Sequence, residues 1–334
     1  MTSEWLSAPL TDVANGVPAD GPPVACVTDF PDGGGARVVY AAQDGHVWEL
    51  YCPRSTHAWS SADLTKLGGG ARAWSSLAAY VTDFPEGGGA RVVYSTQDHQ
   101  DFHVWELYCP RSTLVWSGAD LSDLAGGAPA GRVLASYVTD FPDGGGARVV
   151  YAGQDGRVWE LYCPRSTHIW SITDLTSVAG GPPATGQLAG YATDFPDDGG
   201  ARVVYTAQDG HVWELYCAAS THTWSSADLT KLAEGPAERA PSAGELAACV
   251  TDFPDGGGAR VVYAGQDGHV WELYCPRSTH IWSITDLTNL AKGTPGAPVN
   301  GPVTAYVTDF PDKGGARVVY RGVDDRIWEL YLPA

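Results

Sequence analysis

The chain has 334 residues, 44% apolar and 11% aromatic, which suffices for a packed core and is too rich in rings for a disordered polymer. Lys and Arg number 20 against 39 Asp and Glu, and the net charge of −19 repels phosphate backbones, so nucleic acid is not expected as a partner. No long apolar run occurs, and the opening MTSEWLSAPL has neither a basic n-region nor an apolar h-region, so membrane insertion and classical secretion are not expected; the expected location is the cytoplasm, or outside the cell by export without a classical signal peptide.

The chain opens on EWLSAPLTDVANG (Glu4 to Gly16) and then repeats itself six times. Aligned on the TDFP stretch, the aspartates are Asp29, Asp83, Asp140, Asp194, Asp252 and Asp309, spaced 54 to 58 residues apart. Each unit reads as four short strands, AYVTDF, ARVVYAGQ, HVWELYC and HIWSITDL, separated by Pro, Gly and Asp turn residues. Four antiparallel strands per unit predict a propeller blade, so the fold class is all-β, a six-bladed β-propeller in one domain spanning 1–334. The blades are expected at about 24–70, 78–127, 135–181, 189–235, 247–293, and 303–334 together with about 1–20. The last assignment follows from the ends: the sixth unit stops after its third strand at RIWELYLPA, and the opening segment matches AWSSADLTKLGG, a fourth strand with its following loop. A sheet closed in this way leaves no open edge. The insertion DHQDF (Asp98 to Phe102) replaces the usual DG turn of the second unit and lengthens only that hairpin.

Of seven cysteines, Cys52, Cys109, Cys163, Cys217 and Cys275 occupy one repeat position. Equivalent positions on successive blades are too far apart to pair, so free thiols are expected. No CxxC or HxxxH spacing is present, and neither a metal nor a cofactor is expected.

An arginine on the second strand is followed twelve residues later by a glutamate on the third: Arg37 and Glu49, Arg148 and Glu160, Arg202 and Glu214, Arg260 and Glu272, Arg317 and Glu329. In the second unit the insertion stretches the interval to fifteen, Arg91 to Glu106, without moving either strand. Adjacent strands bring such residues together on one face. The pair reads either as a structural salt bridge copied by duplication or as a polar clamp, in which a fork of donors and a carboxylate acceptor hold vicinal hydroxyls beside an aromatic ring. Fourth-strand tryptophans (Trp5, Trp59, Trp116, Trp170, Trp224 and Trp282) are open to either a core or a ligand role. Third-strand tryptophans (Trp48, Trp105, Trp159, Trp213, Trp271 and Trp328) immediately precede the glutamates, point to the opposite face, and read as core.

The unit ARVVYAAQDGHVWEL resembles the repeats of the six-bladed fucose lectins of fungi and bacteria, which also read R-V-Y-x-Q, a turn, and a glutamate twelve residues after the arginine. The resemblance covers all six units and implies six blades, with arginine and glutamate of one blade bonding fucose and aromatic residues of the next blade covering it. It therefore implies that Arg37 and Glu49 work with Trp116, Arg91 and Glu106 with Trp170, and Arg148 and Glu160 with Trp224. Likewise Arg202 and Glu214 would work with Trp282, Arg260 and Glu272 with Trp5, and Arg317 and Glu329 with Trp59. The family often carries a tyrosine three residues after the glutamate, lining the neighbouring site; here cysteine stands there in five units and Leu332 in the sixth.

The function expected is a multivalent, non-catalytic lectin for L-fucose or fucosylated glycans, with weak sites multiplied by avidity and with homodimerisation left open. An enzyme propeller would make one blade unlike the others, and the units are nearly identical. The alternatives are a protein-interaction scaffold with structural Arg/Glu pairs and, further off, a sialidase-type glycosidase, whose Asp-box QDGHVW resembles but with one residue too few. The repeated aspartates of TDFP and QDG read as turn residues. His46, His211 and His269, before the third strand, and His57, His168, His222 and His280, before the fourth-strand tryptophan, read as solvated loop residues.

Overall fold

Glycine and proline at fixed intervals cut the apolar sequence into segments too short for anything but strands, and the backbone follows. The computed structural model describes residues 10–29, 34–84, 88–98, 101–126, 130–142, 144–195, 199–235, 241–253, 256–291, 298–308, 315–324 and 326–333. These form six antiparallel sheets, the blades of an all-β propeller. Blade one comprises Val24–Thr28, Gly35–Ala41, Val47–Pro53 and Ser60–Asp63, hydrogen-bonded in that order. The second strands of blades two to six begin at Gly89, Gly146, Gly200, Gly258 and Gly315. Among the described residues the sixth sheet has three strands, Val299–Thr308, Gly315–Gly322 and Ile327–Pro333. The expected latch strand around Trp5 lies outside the described residues.

The chain divides into two compact units. One, residues 1–136 with 161–172, contains blades one and two; the other, residues 137–160 with 173–334, contains blades four, five and six. In the first unit the seam between blades one and two buries Val39 and Leu64 against Val92, Tyr94, Leu107, Cys109 and Trp116. In the second, Tyr191, Phe195 and Val204 of blade four pack on Val261, Leu273, Cys275 and Trp282 of blade five.

In blades one, three, four and five the hairpin before the third strand turns on a glycine with positive φ, such as Gly45 at 77° and Gly210 at 78°, a conformation side chains resist. In blade two the insertion extends the pairing instead, with Gln97 opposite Phe102.

A short helix follows the fourth strand where a loop is expected from sequence. Leu64–Gly68, Leu121–Ala125, Leu175–Ala179, Leu229–Leu232 and Leu287–Leu290 each begin after an aspartate whose carboxylate accepts the amide of the third residue on, as Asp63 does from Lys66 N at 2.9 Å. The first three end at a left-handed glycine. Leu10–Val13 is a further short helix, after which Val17 O accepts from Tyr40 OH of blade one at 2.9 Å. Ala71 O receives Tyr94 OH of blade two in the same way at 3.0 Å, so residues 10–17 lie against blade one as 64–71 lie against blade two.

Candidate functional site

Strand register decides how arginine and glutamate meet. In blade four Arg202 is opposite Tyr216 and Tyr191, while Glu214 is opposite Val204, so the charged pair is diagonal on one face. The guanidinium Nη1 lies 2.7 Å from Glu214 Oε1, Nε donates to Thr193 Oγ1 at 3.0 Å, and Nη2 donates to Phe195 O at 3.3 Å. Blades two and three repeat the three contacts: Arg91 with Glu106, Thr82 and Phe84, and Arg148 with Glu160, Thr139 and Phe141. Arg37 meets Glu49 at 2.5 Å, and Arg260 and Arg317 meet Glu272 and Glu329 at 2.7 Å.

The TDF stretch, read from sequence as a turn, thus supplies two acceptors, a threonine Oγ1 and a phenylalanine carbonyl, to Arg91, Arg148, Arg202 and Arg260. A further contact comes from the tyrosine two residues after the glutamate, whose ring lies under the guanidinium: Tyr51, Tyr108, Tyr216, Tyr274 and Tyr331 sit 4.1 to 4.3 Å from it. The invariable glycine that starts the second strand makes room for this ring. A Cβ on Gly200 would fall 2.2 Å from Tyr216.

The pairs are buried. Arg202 and Glu214 side chains are 4% and 5% exposed, whereas Arg317 and Glu329 are 14% and 40% exposed. Burial pushes the Glu49 and Glu160 carboxyls upward, against the pull of Arg37 and Arg148. In blades two, three and four a first-strand tyrosine closes the clamp: Tyr80, Tyr137 and Tyr191 donate to Glu106, Glu160 and Glu214 at 3.3 to 3.5 Å. Desolvation holds these phenols protonated well beyond their usual range. Blades one and five have Cys26 and Cys249 at that register, opposite Arg37 and Arg260.

All seven cysteines are free, as their spacing predicts. Burial pushes Cys26, Cys163, Cys217, Cys249 and Cys275 up to about 11, so their thiols are protonated at neutral pH. Cys163 of blade three feels Arg91 and Glu106, Cys217 feels Arg148 and Glu160, and Cys275 feels Arg202 and Glu214. The cysteine three residues after each glutamate therefore faces the clamp of the preceding blade in these three cases.

Trp116 is 9% exposed, with the Arg37 guanidinium 5.9 Å from its ring, so the first expected trio, Arg37, Glu49 and Trp116, converges. Trp282, 8% exposed, packs with Tyr191 and Phe195 beside the Arg202 clamp. Trp59, Trp170 and Trp224 are half-buried on their fourth-strand ends, and Trp5 lies outside the described residues. Third-strand tryptophans face away from the clamp; Trp48 and Trp271 donate their indole N–H to Asp44 and Asp267 of the hairpin turn.

Two sets of histidines do more than the solvated role expected from sequence. His46, His211 and His269 each place Nδ1 2.7 Å from the helix-capping Asp63, Asp228 or Asp286; His103 does the same with Asp120, and in blade three Arg157 reaches Asp174. The capping aspartate is thus shared between helix and hairpin, and it brings His103, Asp120 and Asp123, and likewise Asp209, His211 and Asp228, close together. At the opposite strand end, His168, His222 and His280 adopt positive φ and stack on Phe84, Phe141 and Phe195 of the preceding blade at 6.0 to 6.2 Å. Beside them Arg111, Arg165 and Arg277 pair with Asp29, Asp83 and Asp194 at 3.3, 2.7 and 2.6 Å. Asp29, Asp83 and Asp194 of the TDFP stretches are therefore salt-bridge partners as well as turn residues. Chain distance hid the contacts at this end, whose partners are more than eighty residues apart.

No protein-family model matches the chain, and no curated protein matches it. Solved structures do. A point mutant of the Aleuria aurantia lectin in complex with α-methyl-L-fucoside superposes with a TM-score of 0.57 at 16% identity, covering 92% of this chain and 90% of that one. The chain has the six-bladed β-propeller fold of that lectin. AofleA from Arthrobotrys oligospora is similar with a TM-score of 0.54 at 13% identity, over 95% of this chain and 84% of that one. The SapL1 lectin in complex with α-methyl fucoside gives 0.54 at 16% identity, over 94% of each chain.

Proposed function

We propose that the protein is a multivalent, non-catalytic carbohydrate-binding propeller that takes L-fucose or fucosylated glycans at the Arg/Glu clamps. The observation that carries the reading is the convergence of Arg37, Glu49 and Trp116: a forked donor, a carboxylate acceptor and an indole face within 6 Å or less of the guanidinium. A pyranose presents vicinal hydroxyls to such a pair and a C–H face to such a ring. The solved complexes of similar fold support it, since the Aleuria and SapL1 lectins were captured with α-methyl fucosides. Repetition supports a binding function over a catalytic one, because no single blade sets a nucleophile or acid apart.

A second reading has an observation of its own. In blades two to four the arginine donors already meet Glu, Thr Oγ1 and a Phe carbonyl, and those side chains are at most 6% exposed, as a purely architectural pair would be. Isothermal titration with L-fucose, beside D-galactose, D-mannose and sialic acid, separates the two. Fucose heat with at least one site per chain, absent for the other sugars, is the expected result. No heat with any monosaccharide makes the pairs structural and the propeller a scaffold.

A further inference from the structure

The six clamps are written with the same arginine and glutamate but not with the same first strand. The register position opposite the arginine is Cys26 in blade one, Tyr80 in blade two, Tyr191 in blade four, Cys249 in blade five and Tyr306 in blade six. Tyr137 holds it in blade three, where its phenol reaches Glu160. Tyr80, Tyr137 and Tyr191 are 7–8% exposed and their hydroxyls end on the glutamate, the atom a sugar hydroxyl would have to reach.

Cysteine is smaller than tyrosine by a phenol ring, and the facing blade does not make up the difference. Tyr191 of blade four packs in a cluster that includes Ala248 of blade five, and Tyr137 of blade three lies against Gly190 of blade four, where a Cβ would stand 2.4 Å from its ring. The seam beyond Cys26 presents Ala79, and the seam beyond Cys249 presents Ala305, each no larger than the alanine that faces a full tyrosine. Cys26 and Cys249 bring no first-strand phenol to Glu49 or Glu272; Glu272 is 13% exposed against 4–6% for Glu106, Glu160 and Glu214, while Glu49 is 5% exposed beside its smaller neighbour.

Resting on the carbohydrate reading above, we propose that the clamps of blades one and five, marked by Cys26 and Cys249, admit a monosaccharide, and that tyrosine closes those of blades two, three and four. In the closed clamps the phenol O–H occupies the glutamate as a sugar hydroxyl would, and the ring fills the space of the pyranose. The first-strand residue thus selects which copies of a duplicated clamp are binding sites. Cys26 and Cys249 are neutral thiols here and line the opening without reacting, their acidity suppressed by burial.

Calorimetric titration of the full chain with methyl α-L-fucoside tests this through stoichiometry. Cys26→Tyr is expected to bind about one equivalent fewer than the wild type and Tyr191→Cys about one more, since each substitution closes or opens one independent site. Retention of the Cys249 site in Cys26→Tyr serves as its own control for folding, and Cys26→Ser, which restores no ring, keeps both sites. Five or six equivalents in the wild type, or a stoichiometry unmoved by Cys26→Tyr and Tyr191→Cys, overturns the selection by tyrosine while leaving the lectin reading intact. Absence of heat with every variant, Tyr191→Cys included, overturns both.

Discussion

Blade one and blade four carry the same clamp, Arg37 with Glu49 and Arg202 with Glu214, on the same strands and in the same register. They differ at the neighbouring first-strand position, where blade four sets Tyr191 on the glutamate and blade one sets Cys26. The comparison teaches that duplication copies a pair of charges faithfully, while the chemistry available to the pair is set by one residue the Arg/Glu motif does not include.

The largest effect is expected from breaking the clamp itself. Arg202→Ala leaves Glu214 buried without its cation, and such a loss costs about 3–5 kcal/mol. Chemical denaturation monitored by Trp fluorescence reads this directly. If the midpoint barely moves, the pair is not holding the seam between blades four and five. Tyr191→Phe is a finer probe of the difference between the two blades. It removes one long hydrogen bond at 3.5 Å from a buried carboxylate and should cost about 0.5–1.5 kcal/mol, well below the Arg202→Ala change. A loss as large as that of Arg202→Ala would mean that the phenol, and not the guanidinium, secures Glu214.

The smallest effect belongs to the exposed salt bridges between blades. The Arg165 hydrogen bond holds Asp83 below its usual carboxylate value. Because the folded-state pKa is depressed, this contribution is present above the unfolded value of about 3.9 and is lost as pH falls through the folded one. Asp83 is largely exposed, so screening limits it to roughly 0–1 kcal/mol. Melting temperatures between pH 7 and pH 2 should therefore converge for wild type and Arg165→Ala at the acid end. Curves that stay parallel to pH 2 would assign the contribution to packing of Arg165 over Phe84, 5.2 Å away, instead of to charge.

Much of this architecture can be read along the chain. Spacing between Asp29, Asp83 and their successors counts the repeats, and alternating apolar residues bounded by Gly and Pro make them strands. The twelve-residue interval places arginine and glutamate on one face, because a three-residue turn ending in glycine, Gln43 to Gly45 in blade one, fixes the register whatever surrounds it. The short helices were also within reach: DLTKLGG carries an N-capping aspartate and a terminating glycine at the right separation. What lies across seams was not. Nothing near Asp83 in sequence points to Arg165, nor anything near Phe84 to His168, since these partners belong to different repeats.

The sequence by itself therefore determined the repeat number, the strand order and the meeting of arginine with glutamate, because each follows from local turns and a period of two. Only the tertiary structure decided that the pair is buried, that tyrosine covers it in three blades and cysteine lines it in two, and that a thiol of the next blade faces several of the clamps. Those properties arise where one sheet packs on another, and the chemistry of a seam belongs to both of its faces.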